Sequence, residues 1–407
     1  MGSKRARWAL VVVAVGALAV VATAAAQTQS AASKSVIIGW AYDGMAGGPM
    51  NPFDAPALAA ANIEVAKINA KGGVDGMKLV IKTCNTQGDN ATVSTACANK
   101  LISQDHANVI FTTCDVDLAA PVVQPAINKG LLTIAPCIGT DQMGPKRFGT
   151  KGKLAFSFGN VAQDEGSAMA QLAWNKGWKT ADLAKDTTIT YFKAVVTAFE
   201  WRFKQLGGKI KYSTTYTDPA LCQCGLTSVN NAAAGIAAHP SAVVVTSTAG
   251  AYGGLAPFIV NLRSASDKSP VLNSWAGDGT YWLPSNPQIS NYWFVTYANA
   301  FGHDPKAAIN RLAKQVHAAT GGFVAGPAAI DGLVTAIKRA NGSLKGSTLA
   351  AQMVKFKNVA TLSGNVSFSA THHTVFGRAY RVIEINSNKP IEKQLIKALV
   401  VPNSPDS

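Results

Sequence analysis

Short, mostly apolar runs alternate with helical stretches along most of this chain, and the alternation is played out twice. Ser35–Tyr42 (SVIIGWAY), Met77–Thr83, Asn108–Thr113 and Leu131–Ala135 read as strands of the kind covered on both faces. Between the first two, Leu58, Ala61, Val65 and Ile68 recur on one helical face. Asp54 is the expected N-cap of that helix, Pro56 sits in its first turn, and Gly72-Gly73 stops it. Val93–Ser103 is the next helix, and another separates the third and fourth strands. The pattern then restarts. Thr180–Leu183, Lys209–Tyr216, Ala242–Thr246, Val271–Ser274 and Tyr292–Tyr297 are expected strands, with helices at Phe192–Gln205 and Pro257–Arg263. Three helices follow, at Pro305–Thr320, Pro327–Ala340 and Ser347–Phe356. The end reads as a terminal hairpin of Gly364–Ser369 and Ala379–Ile385. Strands alternating with helices mean βαβ units and parallel sheets, and 407 residues favour two such units over one.

The N-terminus places the chain. Lys4, Arg5 and Arg7 precede an apolar run from Leu10 to Val21, and Ala24-Ala25-Ala26 has the small residues of a cleavage site. Residues 1–26 therefore read as a secretory signal peptide, with 27–34 as a linker. An uncleaved anchor is the alternative, since Trp8 to Ala26 is nearly free of polar groups. With no cysteine near the junction, lipid anchoring is not expected; the expected location is the periplasm or extracytoplasmic space. The net charge is +15. A basic surface suits nucleic acid, anionic envelope surfaces or acidic ligands, and export argues against nucleic acid. At 48% hydrophobic and 14% charged residues, disorder is excluded.

Export permits disulfides. Cys84, Cys97, Cys114, Cys137, Cys222 and Cys224 allow fifteen pairings. Cys222 and Cys224 either close a tight local ring or stay free. One C-x-C and no CxxC make a structural zinc site improbable. No G-x-S-x-G, Walker, G-x-G-x-x-G or H-E-x-x-H pattern occurs in the sequence. His372-His373, the adjacent histidine pair, reads as a solvated turn. No enzyme activity, cofactor or metal is expected.

Four local features occur in order. Ile68-Asn69-Ala70-Lys71-Gly72-Gly73-Val74-Asp75-Gly76 leads into Lys78-Leu79-Val80-Ile81. Gln87-Gly88-Asp89-Asn90-Ala91 leads into Ala98-Asn99-Lys100-Leu101-Ile102. Val109–Thr113 and Pro121 lead into Gly130-Leu131-Leu132-Thr133-Ile134-Ala135-Pro136. Leu362-Ser363-Gly364-Asn365-Val366-Ser367-Phe368 comes last. Over about residues 35–390 the chain resembles the type I periplasmic binding proteins, specifically the branched-chain amino acid (Leu/Ile/Val-binding) group of ABC importers.

The resemblance implies two Rossmann-like α/β lobes with parallel sheets, joined by a three-strand hinge. Lobe 1 would comprise 35–158 and 299–363, lobe 2 would comprise 159–298 and 364–400, and 401–407 would be a tail. It implies a monomer that captures a small molecule between the lobes and hands it to a membrane permease. The solute would be an amino acid, an amide or an aromatic or polar organic molecule. An exported sensor domain of the same fold, signalling to a membrane partner, is the alternative. Ligands of parallel sheets sit beyond the carboxyl ends of strands, so the expected contacts are Phe53, Asp115, Asp117, Ile138, Gly139, Thr140, Tyr191, Tyr252, Trp275 and Asp278. Tyr191 occupies the place of the tyrosine with which family members touch their ligand. Two departures stand out. Family members carry serines where this chain has Cys114-Asp115-Val116-Asp117, and Asp117 there is an expected helix cap. The second-lobe acid that would hold a ligand ammonium is missing from Thr246-Ser247-Thr248-Ala249-Gly250, so Asp115 or Asp278 would take that role. The resemblance also implies Cys84–Cys97 with Cys114–Cys137; Cys84–Cys114 is the rival pairing.

Overall fold

The structure is a computed structural model that describes residues 35–222 and 224–397. The expected leader, linker and C-terminal tail lie outside the described residues. The first round of alternation gives β1 (Ser35–Tyr42), β2 (Lys78–Asn85), β3 (Val109–Phe111), β4 (Leu132–Ala135) and β5 (Ala155–Asn160). The second gives β6 (Thr180–Asp186), β7 (Lys209–Tyr216), β8 (Val243–Thr246), β9 (Val271–Asn273) and β10 (Tyr292–Thr296). The end adds β11 (Val359–Thr361), β12 (Gly364–Val366), β13 (Thr374–Val375), β14 (Ala379–Asn386) and β15 (Lys389–Lys397).

Two sheets result, wound alike. One runs β2-β1-β3-β4-β5-β13 and is parallel throughout. The other runs β7-β6-β8-β9-β10 in parallel, then adds β14 and β15 antiparallel. Both share the 2-1-3-4-5 order, whose switch point lies between the first and third strands of the unit. Each sheet is buried by helices. Val36, Ile38, Phe111 and Phe156 pack with Ala329, Leu333 and Met353 from helices Ala325–Arg339 and Gly346–Met353. Leu183, Val245 and Val295 pack under Phe199 and Phe203 of helix Thr190–Gln205. Each such fully buried side chain contributes about 1.5–3 kcal/mol.

The chain passes between the sheets three times: after β5, after β10, and between β13 and β14. The last passage comes later than the expected 363–364, because β13 adds to the first sheet beside β5. Polar side chains tie the passages together. Arg378 donates to Ser363 Oγ and to the Phe158 carbonyl, both at 2.8 Å. Arg381 forks onto Asp304 at 2.8 and 3.0 Å and reaches the Tyr297 carbonyl at 3.0 Å. Both arginines are buried, and a buried fork is the arrangement in which such a pair holds a geometry.

Several local expectations are corrected. The first helix begins at Asn51, not after Asp54, because Pro52 fixes the first turn there. Asp54 lies inside that helix with its carboxylate buried. The expected terminal hairpin does not form: Gly364–Val366 pairs with β11, and β14 pairs with β15 instead. His373 is not solvated. It is 2% exposed, stacks on Phe156 at 4.1 Å and hydrogen-bonds the Ala155 carbonyl at 2.8 Å. The helix expected over 305–320 spans only Ala307–Gln315, and His317 then turns to φ 48°. No helix among the described residues is long and apolar enough to cross a membrane.

Candidate functional site

Switch points make crevices where the chain leaves a sheet in opposite directions. In the first sheet the loops in question follow β1 and β3; in the second they follow β6 and β8. All four, with the loop after β9, meet at one buried cavity. Met50, Phe53, Cys114 and Asp115 line it from the first sheet. Ile189, Tyr191, Phe192, Ala249, Tyr252, Trp275 and Ala276 line it from the second. About 20 Å³ of space remains inside for the centre of a water molecule, room for a single water by the usual threshold. The loops after β1, β8 and β9 also line an outer hollow of about 420 Å³, edged by Gly48, Pro52, Ala251, Tyr281 and Trp282. An apolar groove of about 320 Å³ along Leu154, Ala350, Val354 and His373 touches neither switch point.

The walls are aromatic and cross from one half to the other. Phe53 meets Trp275 edge-on at 4.8 Å, and Trp275 stacks on Tyr297 at 4.6 Å. Phe192 packs edge-on against Tyr252 at 5.6 Å, and the Tyr252 hydroxyl reaches Met50 Sδ at 3.6 Å. Aromatic pairs of this kind add about 0.5–1.5 kcal/mol beyond the area they bury.

Buried carboxylates hold the loops. Asp43 accepts the Met45 and Gly88 amides on one oxygen and those of Met50 and Asn51 on the other, at 3.0–3.1 Å. Asp54 accepts Asp43 N at 2.9 Å and Cys114 N at 3.0 Å. Asp115 caps helix Val116–Asn128, taking Asp117 N at 2.8 Å and Leu118 N at 3.2 Å on Oδ1. Glu165 accepts the Tyr191 hydroxyl at 2.7 Å and Trp275 N at 2.5 Å. Burial raises Asp54, Asp115 and Glu165. Asp54, beside Asp89, sits well above the carboxylate range; Asp115, also beside Asp117, is pushed up to about 7, and Glu165 to about 8. Asp117 differs. Burial pushes it up, but the Thr190 amide and Arg147 outweigh this and hold it below its ordinary value.

The expected contacts divide accordingly. Phe53, Asp115, Tyr191, Tyr252 and Trp275 line the cavity together. Asp117, Ile138, Gly139, Thr140 and Asp278 do not. Ile138 is packed with Val116, Met143 and Phe148 beneath the loop. Gly139 backs Tyr191: a Cβ there would lie 2.5 Å from the ring. The Thr140 carbonyl accepts Thr374 Oγ1 at 2.7 Å. Asp278 takes Thr296 Oγ1 at 2.5 Å and Gly321 N at 2.6 Å beside the second passage. Asp117 does not cap its own helix. It reaches across to helix Thr190–Gln205, accepting Thr190 N at 2.8 Å, and pairs with Arg147 at 2.6 Å. Met50, Cys114, Ile189, Phe192, Ala249 and Ala276 line the cavity without having been expected as contacts. Nothing in the sequence marked Glu165, which holds Tyr191 and Trp275 in place.

Disulfides join Cys84–Cys97, Cys114–Cys137 and Cys222–Cys224. The second ties the loop after β3 to the loop after β4 at the cavity wall. Asp54 lies near both of its sulfurs, but sulfurs bonded to each other are not thiolate ligands.

The profile of a family described as "Periplasmic binding protein" matches residues 35–390. No curated protein matches the chain. Solved structures are similar in fold. The branched-chain amino acid transporter substrate-binding protein LivJ from Streptococcus pneumoniae, in complex with isoleucine, is 17% identical; the match covers 89% of this chain and all of that one, with a TM-score of 0.73. A solute-binding protein of an ABC transporter from R. palustris, in complex with benzoate, is 18% identical over 91% of this chain and 98% of that one, at 0.70. Another from R. palustris, in complex with 4-hydroxybenzoate, is 15% identical over 92% and 98%, at 0.74.

Proposed function

Since this chain belongs to the periplasmic binding protein family, we propose that it is an extracytoplasmic solute receptor that captures a small molecule between its two halves and delivers it to the membrane permease of an ABC importer. One observation carries the reading: the switch-point loops of two similarly wound sheets converge on the same aromatic cavity. Loops at that position of a parallel sheet are where ligands bind, and two sets facing one another form jaws. The space left inside is too small for an organic solute, so the halves part to admit one and close around it, a hinge motion about the three passages. Carrying the relatives' role over to this chain is supported by the fold it shares with those complexes and by its leader-like N-terminus. The role involves no bond made or broken.

Capture stabilises the bound form. A ligand at 100 times its Kd adds about 2.7 kcal/mol to folding stability. The test is a thermal-shift screen of the mature chain against amino acids, amides, amines and aromatic acids. A stabilising ligand is expected, and Tyr191→Ala should reduce its shift. A shift unchanged by that substitution removes Tyr191 from the site; no shift with any solute contradicts the receptor role.

A further inference from the structure

We propose that the cleft is built to take an organic cation, a protonated amine or quaternary ammonium on an apolar body, and to reject carboxylates. This rests on the receptor reading above and names the solute class.

An anion entering a cleft of this fold would seek backbone N–H groups at the starts of helices, where the helix dipole favours negative charge. Several of those at this cleft are already taken by the chain's own carboxylates. Asp115 Oδ1 holds the second and third amides of helix Val116–Asn128. Asp117 Oδ2 holds Thr190 N, the first amide of helix Thr190–Gln205. Glu165 Oε1 holds Trp275 N, at the start of the short turn Trp275–Gly277. At these amides a ligand carboxylate would have to displace an acid that is covalently in place.

Among the described residues, no lysine, arginine or histidine lines the cavity to offset that cost. Arg147 is engaged with Asp117 and with Gln142 at 3.1 Å. What the cavity does offer is a cation's surroundings. Phe53, Tyr191, Phe192, Tyr252 and Trp275 supply ring surfaces, which attract ammonium groups. Asp115 lines the same space, is 3% exposed, and spends only Oδ1 on its cap; Oδ2 takes no hydrogen bond among the described residues. A carboxylate oxygen that lacks a partner on a largely buried residue is satisfied by a charged donor from the ligand. An ammonium there would also favour the ionised form of an acid that burial otherwise holds partly protonated near neutral pH.

The test is calorimetric titration of the mature chain at pH 7.5 with solutes matched in skeleton: benzylamine, benzamide and benzoate, then leucinamide and leucine. The amine of each set should bind at least tenfold more tightly than its carboxylate-bearing partner. Asp115→Asn, which keeps a capping side chain, should erase that preference. Equal or tighter binding of benzoate or leucine overturns the inference and leaves the receptor reading standing. Binding of none of these, with no shift from any solute of the wider screen, removes both.

Discussion

Replacing Asp117 with alanine tests closure without touching the cavity. In the wild-type chain its carboxylate lies on one half and caps a helix of the other. It accepts Thr190 N at 2.8 Å and Thr190 Oγ1 at 3.3 Å, and it pairs with Arg147 at 2.6 Å. Helix Thr190–Gln205 has no cap from its own N-cap residue, Ile189. Losing a capping carboxylate costs about 0.5–2 kcal/mol. The ion pair is about 28% exposed on both sides and adds at most about 1 kcal/mol. The cap exists only while the halves are together, so about 1–2 kcal/mol is lost from the closed state alone. Calorimetry should then show Kd weakened by about 5- to 30-fold, mostly through faster dissociation in stopped flow. Asp117→Asn keeps an acceptor and should fall between. The pH dependence follows from the sign of the shift. A carboxylate whose folded pKa is depressed contributes above its unfolded value, about 4, and loses that contribution as pH falls through the folded one. The mutant's deficit should therefore be flat from pH 8 to 5 and shrink only in stronger acid. A Kd within twofold of wild type would refute the latch.

Two further outcomes follow. Glu165 and Asp164 are raised to about 8, and Asp115, Asp218, Asp278 and Asp331 to about 7, chiefly by burial. Acids raised in the folded state stabilise it fully below their unfolded pKa and lose that contribution as pH rises through the folded one. The Tm of the ligand-free chain should therefore fall between pH 6 and pH 9, and a flat or rising profile in calorimetric melts would contradict these burials. Gly139→Ala would put a methyl 2.5 Å from the Tyr191 ring; the ring must shift, and ligand affinity should drop several-fold with a smaller loss of Tm. Unaltered affinity would mean that the position of Tyr191 does not matter to binding.

The loops around the cavity were legible because they follow strand ends, and strand ends were legible as short apolar runs. Which side chain in a loop turns inward was not. Met50 and Phe53 line the cavity because Asp43 collects four amides and folds the loop over, a contact pattern with no local signature. Glu165 was hidden for another reason. Its helix, Ala162–Asn175, buries alanines, Gly166, Ser167 and two acids, so the apolar periodicity that marks a helix is weak. Gly166 is there for close approach: a Cβ would lie 2.2 Å from the Val195 carbonyl oxygen. The misplaced third passage has a similar origin, since β13 is two residues long and is preceded by a polar turn. Asp117 looked like a local cap because capping is usually local; here the capped helix belongs to the other sheet.

The claim that the halves close on a solute is tested most directly by small-angle X-ray scattering of the purified protein, with and without a saturating ligand from the screen. Contraction on binding is expected, both in radius of gyration and in maximum dimension, and Asp117→Ala should need more ligand to contract. Identical scattering while calorimetry reports one solute bound per chain would contradict the account.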